Sequence, residues 1–255
     1  MNTIYVPKGK AKEYGDYALN IYTGCPHRCY YCFAPNVLHR DRETFHADVR
    51  PRDGIVEATR QRIEKDGITG KLIHLCFTCD PYPKGYNTAP TREIIQLLKE
   101  YGNRVQILTK NAKAASRDFE LMDENDWFGV TLTGATVEQE SISTNHKSRL
   151  FWMAVARNRG IKTWVSFEPV INAEWVLSCI AAHGEIFDKI KIGKLNYWPS
   201  DIDWAEFGKK AEALCKERGF DYYIKDSLRA EMERGDGGGF EGDGKRCREN
   251  SDGTD

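Results

Sequence analysis

No apolar run in the 255 residues reaches the ~18–20 that a membrane-spanning helix needs. The N-terminal stretch MNTIYVPKGKAKEYGDY has no apolar signal core. Both absences point to a soluble, cytoplasmic protein without a membrane partner. A charge excess is also missing: 37 Lys and Arg stand against 38 Asp and Glu, a formal net charge of −1. That balance argues against a basic nucleic-acid coat protein and leaves room for a local basic groove. No internal repeat is evident. What is present is enough apolar material for a core, 40% of residues, and a length suited to one large α/β domain or two small ones. The eight cysteines of a cytoplasmic chain are not expected to pair as disulfides; clustered ones point to metal ligation or catalysis.

Short apolar strands alternate with amphipathic helical stretches. Strands are expected over residues 17–23, 72–78, 104–109, 127–133, 161–167 and 188–193, with a seventh over 221–224. Helices are expected over 54–65, 91–101, 116–124, 147–159, 173–183 and 204–218, where apolar positions recur at three- and four-residue spacing, as in Ile94, Ile95, Leu97 and Leu98. Such alternation implies a parallel sheet covered by helices. A closed eight-unit barrel needs about 250 residues for its units, so the expected fold is a partial (β/α)6 TIM-type barrel with helices outside. An open doubly wound sheet is the second choice. In either, chemistry sits at the carboxyl ends of the strands. The expected division is an N-terminal arm (1–16), the barrel domain (17–234) and a disordered tail (235–255) rich in Gly and charge, in which Cys247 is incidental.

Behind the first predicted strand, Cys25, Cys29 and Cys32 form the pattern C-x3-C-x2-C. Thiolates are soft ligands and select zinc or iron–sulfur. Structural zinc takes four ligands, usually as two spaced pairs; here three cluster tightly and an obvious fourth is missing. An iron–sulfur cubane on three cysteines leaves one iron open to a reactant. Zinc completed by His27 and His46, or three unligated core cysteines, are the plain alternatives.

The segment Cys25-Pro-His-Arg-Cys29-Tyr-Tyr-Cys32 resembles the signature of radical S-adenosylmethionine enzymes, C-x3-C-x-aromatic-C, with Tyr31 at the aromatic position. Further along, Cys79-Asp80-Pro81-Tyr82, Thr109-Lys110-Asn111 and Phe167-Glu168-Pro169-Val170-Ile171 resemble the spore photoproduct lyase-like branch, over roughly residues 15–230. The resemblance implies a partial (β/α)6 barrel, a [4Fe-4S] cluster on Cys25, Cys29 and Cys32, and bound S-adenosyl-L-methionine. It also implies reductive cleavage of that cofactor to a 5′-deoxyadenosyl radical that abstracts a substrate hydrogen, driven by an external electron donor of flavodoxin or ferredoxin type. The chain is expected to work as a monomer.

The resemblance places Tyr31 and Phe33 near the adenine. Strand alternation puts His74, Cys76, Thr78 and Asp80 on one face, with Ile73, Leu75, Phe77 and Cys79 on the other. Thr78 and Asp80 then sit where relatives contact the methionine amino group, unless Asp80 merely caps the turn before Pro81. Lys110 suits the methionine carboxylate. Thr131 and Thr133 share a face and are candidates for the ribose or methionine. Lys162, Trp164, Ser166 and Glu168 share another. Ser166 is a cofactor-binding candidate there; Glu168 would bind ribose hydroxyls or substrate, or else pair with Lys194. Asn196 is a candidate for the adenine or substrate. Lys225 reads by default as a surface lysine. Relatives in this branch return a hydrogen to the product radical from a cysteine near this place. Of the two flanking that position, alternation favours Cys76 over Cys79, the alternative being a small buried residue. Cys179 and Cys215 read as core.

Three functions compete. A radical enzyme acting on a nucleic-acid base, in the manner of a lesion-reversing lyase, draws on the branch resemblance and on Arg40, Arg42, Arg50 and Arg52. These are interleaved with Asp41, Glu43, Asp48 and Asp53 and so read equally as a salt-bridged loop. A radical enzyme acting on a small molecule or peptide is the second. A non-catalytic metal-binding protein is the third, and the polar strand ends argue against it.

Overall fold

The structure is a computed structural model and describes residues 3–236. Nearly all of the tail expected to be disordered, Cys247 included, lies outside the described residues. In chain order the elements are β1 (Ile4–Tyr5), a 3-10 turn (Gly9–Tyr14), β2 (Tyr17–Leu19), α1 (Ala34–Val37), α2 (Arg42–Ala47), α3 (Ile55–Asp66) and β3 (Leu72–Leu75). Then come α4 (Ala89–Glu100), β4 (Arg104–Thr109), α5 (Ala112–Ala115), β5 (Trp127–Thr131), α6 (His146–Asn158) and β6 (Lys162–Phe167). α7 (Ala173–His183), β7 (Lys189–Ile192), α8 (Trp204–Glu217), β8 (Tyr222–Ile224) and α9 (Asp226–Asp236) complete the chain. Asp41, Asn145, Asn172 and Asp203 cap α2, α6, α7 and α8 by accepting from the N–H three residues on.

The strands form one sheet in the order β1 to β8. β2 through β8 are parallel to their neighbours and β1 is antiparallel to β2. A doubly wound sheet reverses its strand order part-way; this one never does. All crossovers therefore run in one direction, the helices cover one face, and the other curls inward as a partial barrel. No helix among the described residues is long and apolar enough to cross a membrane.

The two faces differ in chemistry. Ile73, Leu75, Val105, Ile107, Phe128, Val130, Val165, Phe167, Ile190 and Ile192 pack outward against the helices in one core. The alternate positions, His74, Gln106, Trp164, Ser166 and Lys191, point into the lumen and are buried too. The lumen of an ordinary closed barrel is filled by Val, Ile and Leu; a polar lumen is built to hold something polar. Trp164 spans it, donating from Nε1 to Ile107 O at 2.9 Å. It fits because residue 129 is glycine: a Cβ there would lie 2.3 Å from the indole Nε1. Gly129→Ala is expected to cost about 1–3 kcal/mol by overpacking, read as a lowered melting temperature.

The N-terminal arm does more than precede the domain. After β1 at the sheet edge, its 3-10 turn enters the lumen, where the Tyr14 ring meets His74, Phe77 and Trp164 with centroids 5.6–5.8 Å away.

Candidate active site

The cysteine loop leaves the carboxyl end of β2. Arg28 adopts a left-handed φ of 50° inside it, turning the chain back between Cys25 and Cys29. Helix α2 locks the loop. Arg42 donates from Nη2 to Cys29 O at 2.5 Å and Tyr30 O at 2.8 Å, and from Nη1 to Cys32 O at 3.2 Å. His46 Nδ1 donates to Cys25 O at 2.7 Å. Gly24 permits this approach, since a Cβ would lie 2.3 Å from Phe45 O. Backbone N–H groups of His27 and Ala34 point at the sulfurs of Cys25 and Cys32. Burial pushes all three thiols up, Cys29 to about 11 and Cys25 well above the usual thiol range, so only a bound metal would hold them as thiolates at neutral pH.

Among the described residues, no group of three or more His, Cys, Asp and Glu side chains converges to hold a single ion. His46 is turned to Cys25 O. His27 faces Asp80, Nδ1 to Oδ2 at 3.4 Å, while its Nε2 accepts from the Lys84 N–H at 3.2 Å; burial lowers it to about 4, keeping it neutral. Three thiols on one rigid loop, two of them already accepting N–H donors, suit a cubane, in which each thiolate takes its own iron.

A polar bed lies beside the loop at the ends of β3, β4 and β5. Asp80 joins it together: Oδ1 accepts from the Tyr82 N–H at 2.8 Å and Thr109 Oγ1 at 2.6 Å, and Oδ2 from the Lys110 N–H at 2.8 Å. The turn-capping reading of Asp80 is therefore the one observed, and its carboxylate is already engaged by its own chain. Lys110 extends over the Tyr31 ring, Nζ 5.5 Å from the centroid. Burial would lower its ammonium, but Cys29 and Glu140 nearby outweigh that and leave it raised. Among the described residues its Nζ makes no hydrogen bond or ion pair. Tyr31 is buried and donates to Glu140. Thr133 Oγ1 also donates to Glu140, at 3.0 Å. Arg149, fully buried, pairs with Glu140 and donates to Thr131 O at 2.8 Å. Burial alone would raise the Glu140 carboxyl; Arg149 and Lys110 overcome it and hold it at about 2. Neither Glu140 nor Arg149 was anticipated. A signal existed: Arg149, Met153 and Ala156 share one buried helical face, and a cation there demands a buried partner.

A second cluster occupies the lumen below β6 to β8. Ser166 and Glu168 do share a face, and the Tyr14 hydroxyl reaches both, Ser166 Oγ at 3.2 Å and Glu168 Oε2 by a very short bond. Glu168 pairs with Lys225 at 2.6 Å. Lys194, the partner expected from its place in the chain, pairs with Glu231 instead. The default surface role for Lys225 is thus overturned: it is 2% exposed, because β8 is an internal-facing seventh parallel strand. Asn196 accepts from Lys10 of the arm at 2.7 Å.

No family model matches the chain. Spore photoproduct lyase complexed with dinucleoside spore photoproduct superposes with a TM-score of 0.63 at 13% identity, covering 86% of this chain and 79% of that one. Streptococcus suis SuiB bound to precursor peptide SuiA superposes at 0.62 with 12% identity, covering 85% and 51%. SuiB bound to S-adenosylmethionine gives 0.61 over 85% and 52%. This chain has the radical S-adenosylmethionine fold, of the spore photoproduct lyase-like kind. In sequence it is 28% identical over 179 residues to the uncharacterized protein ORF301 of Acidianus two-tailed virus, a match covering 64% of this chain. The chain spans 58% of that curated relative's length.

Within this radical S-adenosylmethionine fold, the expected alternation along residues 72–80 fails. β3 ends at Leu75 and Cys76 takes a left-handed φ of 71°. That residue changes the direction of the chain: Phe77, expected on the face opposite His74, stacks on it with centroids 4.3 Å apart. Cys76 turns away into the apolar core, 5% exposed, its sulfur 3.5 Å from the Ile21 N–H. The alternation argument that favoured Cys76 as a hydrogen donor is lost, and the small buried residue is the observed role. Cys179 and Cys215 are buried in the core as expected. Strands predicted to run through Thr23 and Thr133 likewise stop at Leu19 and Thr131, where the chain bends into site loops. The arginine loop is salt-bridged in part: Arg40 pairs with Asp48, and Arg50 with Asp48 and Asp53, at 3.1–3.4 Å, while Arg42 donates to the carbonyls of the cysteine loop.

Proposed function

We propose that this chain is a radical S-adenosylmethionine enzyme that holds a [4Fe-4S] cluster on Cys25, Cys29 and Cys32. One observation carries the reading: three cysteines on one locked loop at the carboxyl edge of a singly wound sheet, with the cation of Lys110 beside them making no ion pair among the described residues. Bound together, the cluster and S-adenosylmethionine supply a one-electron cleavage that releases methionine and a radical able to take a hydrogen atom from a substrate. The chain's own part is to bind, orient and exclude water. Lys110 supplies the charge for the methionine carboxylate. Asp80 fixes the Lys110 backbone and His27, and so positions rather than binds. Tyr31 and the exposed Phe33 flank the adenine. Thr78, whose buried hydroxyl has no partner among the described residues, and Thr131 offer hydroxyls to the methionine and ribose. Thr133 holds Glu140 in place. Ser166, Glu168 and Asn196 face ribose or substrate. Electrons come from an external flavodoxin- or ferredoxin-type donor.

The test is anaerobic reconstitution followed by dithionite and S-adenosylmethionine. Formation of 5′-deoxyadenosine is expected; its absence, with cluster and cofactor binding verified, overturns the reading. Lys110→Met removes a charge-assisted contact and is expected to weaken S-adenosylmethionine binding about ten- to hundredfold, measured by equilibrium dialysis on reconstituted protein. Two substrate classes compete: a nucleic-acid base, in the manner of a lesion-reversing lyase, and a small molecule or peptide. The carboxylate partners of Arg40 and Arg50 favour the second, because paired arginines offer phosphates less. Binding to DNA or RNA that weakens steeply with salt would restore the first.

A further inference from the structure

Among the described residues, the N-terminal arm adds a carboxylate to the charges gathered in the lumen. The barrel brings two buried lysines, Lys191 and Lys225, to a single carboxylate of its own, Glu168. The second carboxylate is Glu13, from the arm. Its Oε2 lies 3.0 Å from Lys225 Nζ. Its Oε1 accepts from the Tyr223 hydroxyl at 3.2 Å and from the Asp226 N–H, the start of α9, at 3.0 Å. Lys191 Nζ donates to the Glu13 carbonyl at 2.8 Å. The other charges facing this cluster are Lys189, paired with Asp221 at 3.2 Å, and Asp226, which accepts from Tyr223 at 3.0 Å. Burial, with Lys189 and Lys225 close by, lowers Lys191 to about 8. Without the arm, the lumen would keep an uncompensated buried cation, which is costly unless an anion arrives.

The arm is held by contacts that can be exchanged. Glu13 and Tyr14 are partly buried and Gly9, Lys10 and Lys12 exposed, and the arm's anchors are the polar contacts of Lys10, Glu13 and Tyr14 together with the Tyr14 ring. Among the described residues, both ring nitrogens of His74, the amide oxygen of Gln106 beside it on β4 and the Thr78 hydroxyl form no hydrogen bond of normal geometry.

We propose that Lys225, Tyr223 and the first N–H of α9 bind an anionic group of the substrate, phosphate or carboxylate, and that Glu13 keeps that place until substrate displaces the arm. The inference rests on the proposed function, in which Ser166 and Glu168 of this cluster face ribose or substrate. A tethered carboxylate competes at an effective concentration of about millimolar or more, so removing its charge should unmask the site.

The probes are inorganic phosphate and acetate, titrated calorimetrically into the reconstituted protein without reductant. Glu13→Gln is expected to bind one of them at least about tenfold more tightly than the unaltered protein. The anion that binds better identifies the group. Adding Tyr223→Phe, a change that keeps the ring, should reverse part of the gain, and the same anion should speed tryptic cleavage after Lys10 and Lys12 in the unaltered chain. Equal affinities with and without Glu13→Gln, or binding of neither anion, overturn the proposal. A protein that passes this test but makes no 5′-deoxyadenosine keeps its anion site and loses the enzyme assignment; the converse result does the opposite.

Discussion

Arg149→Met is expected to lower the stability of the protein by about 3–5 kcal/mol, the cost of leaving one partner of a buried ion pair uncompensated. For a chain of this size that is a fall in melting temperature of roughly 6–20 °C. The charge left behind is Glu140, which is 5% exposed and accepts hydrogen bonds from Tyr31, Thr133, Ser143 and Arg149. Its carboxyl sits at about 2, below an ordinary glutamate value of 4.5, so its contribution is complete above the unfolded value and lost as pH falls toward 2. Linkage puts that contribution on the order of 3 kcal/mol. The difference between the two proteins should therefore be largest at neutral pH and shrink as pH falls and the stranded Glu140 of the variant takes up a proton. Thermal melts across that range check it. A variant that melts within about 2 °C of the parent at pH 7 would show that Lys110 and the hydroxyls hold Glu140 unaided. Glu140→Gln in the same chain should recover part of the loss, since it removes the stranded charge.

Cys29→Ala is expected to abolish both cluster and turnover. A cubane on three protein thiolates has no spare ligand, so iron after reconstitution should fall from about four per chain to below one, and 5′-deoxyadenosine should not form. The fold should survive: the loop is held at the carbonyls of Cys25, Cys29, Tyr30 and Cys32 by Arg42 and His46, none of which needs the thiol. Cys215→Ala is the matched control. It removes an equally buried sulfur from the core and should cost some stability while leaving iron content unchanged. Retained iron in the Cys29 variant, or lost iron in the control, would contradict the ligand assignment.

These two residues mark where sequence reading succeeds and fails. Cys29 stands out as a ligand candidate because its place on one tight loop with Cys25 and Cys32 is set by spacing. The parallel sheet was legible because strand–helix alternation is a repeated local pattern, and the lumen face of β6 because Trp164, Ser166 and Glu168 keep strict alternation. Arg149 lay in a helix predicted to within a residue or so, and went unread because its partner is on the preceding loop. The alternation expected at Cys76 does not hold, because a left-handed residue there ends β3 at Leu75 and carries Phe77 onto the His74 side. Lys194 looked like the partner of Glu168 because it follows the next strand.

The sequence by itself determined the cysteine spacing and the alternation of strands and helices, since each depends on residues within a turn or a strand of one another, while the singly wound strand order came from the tertiary structure. Only the tertiary structure decided which charges meet. Glu168 finds Lys225 across 57 residues, and Tyr223 finds Glu13 across 210. Such pairs are chosen by curvature: the sheet bends until its last strand faces the arm that began the chain, and a buried charge must take whatever opposite charge that bend delivers.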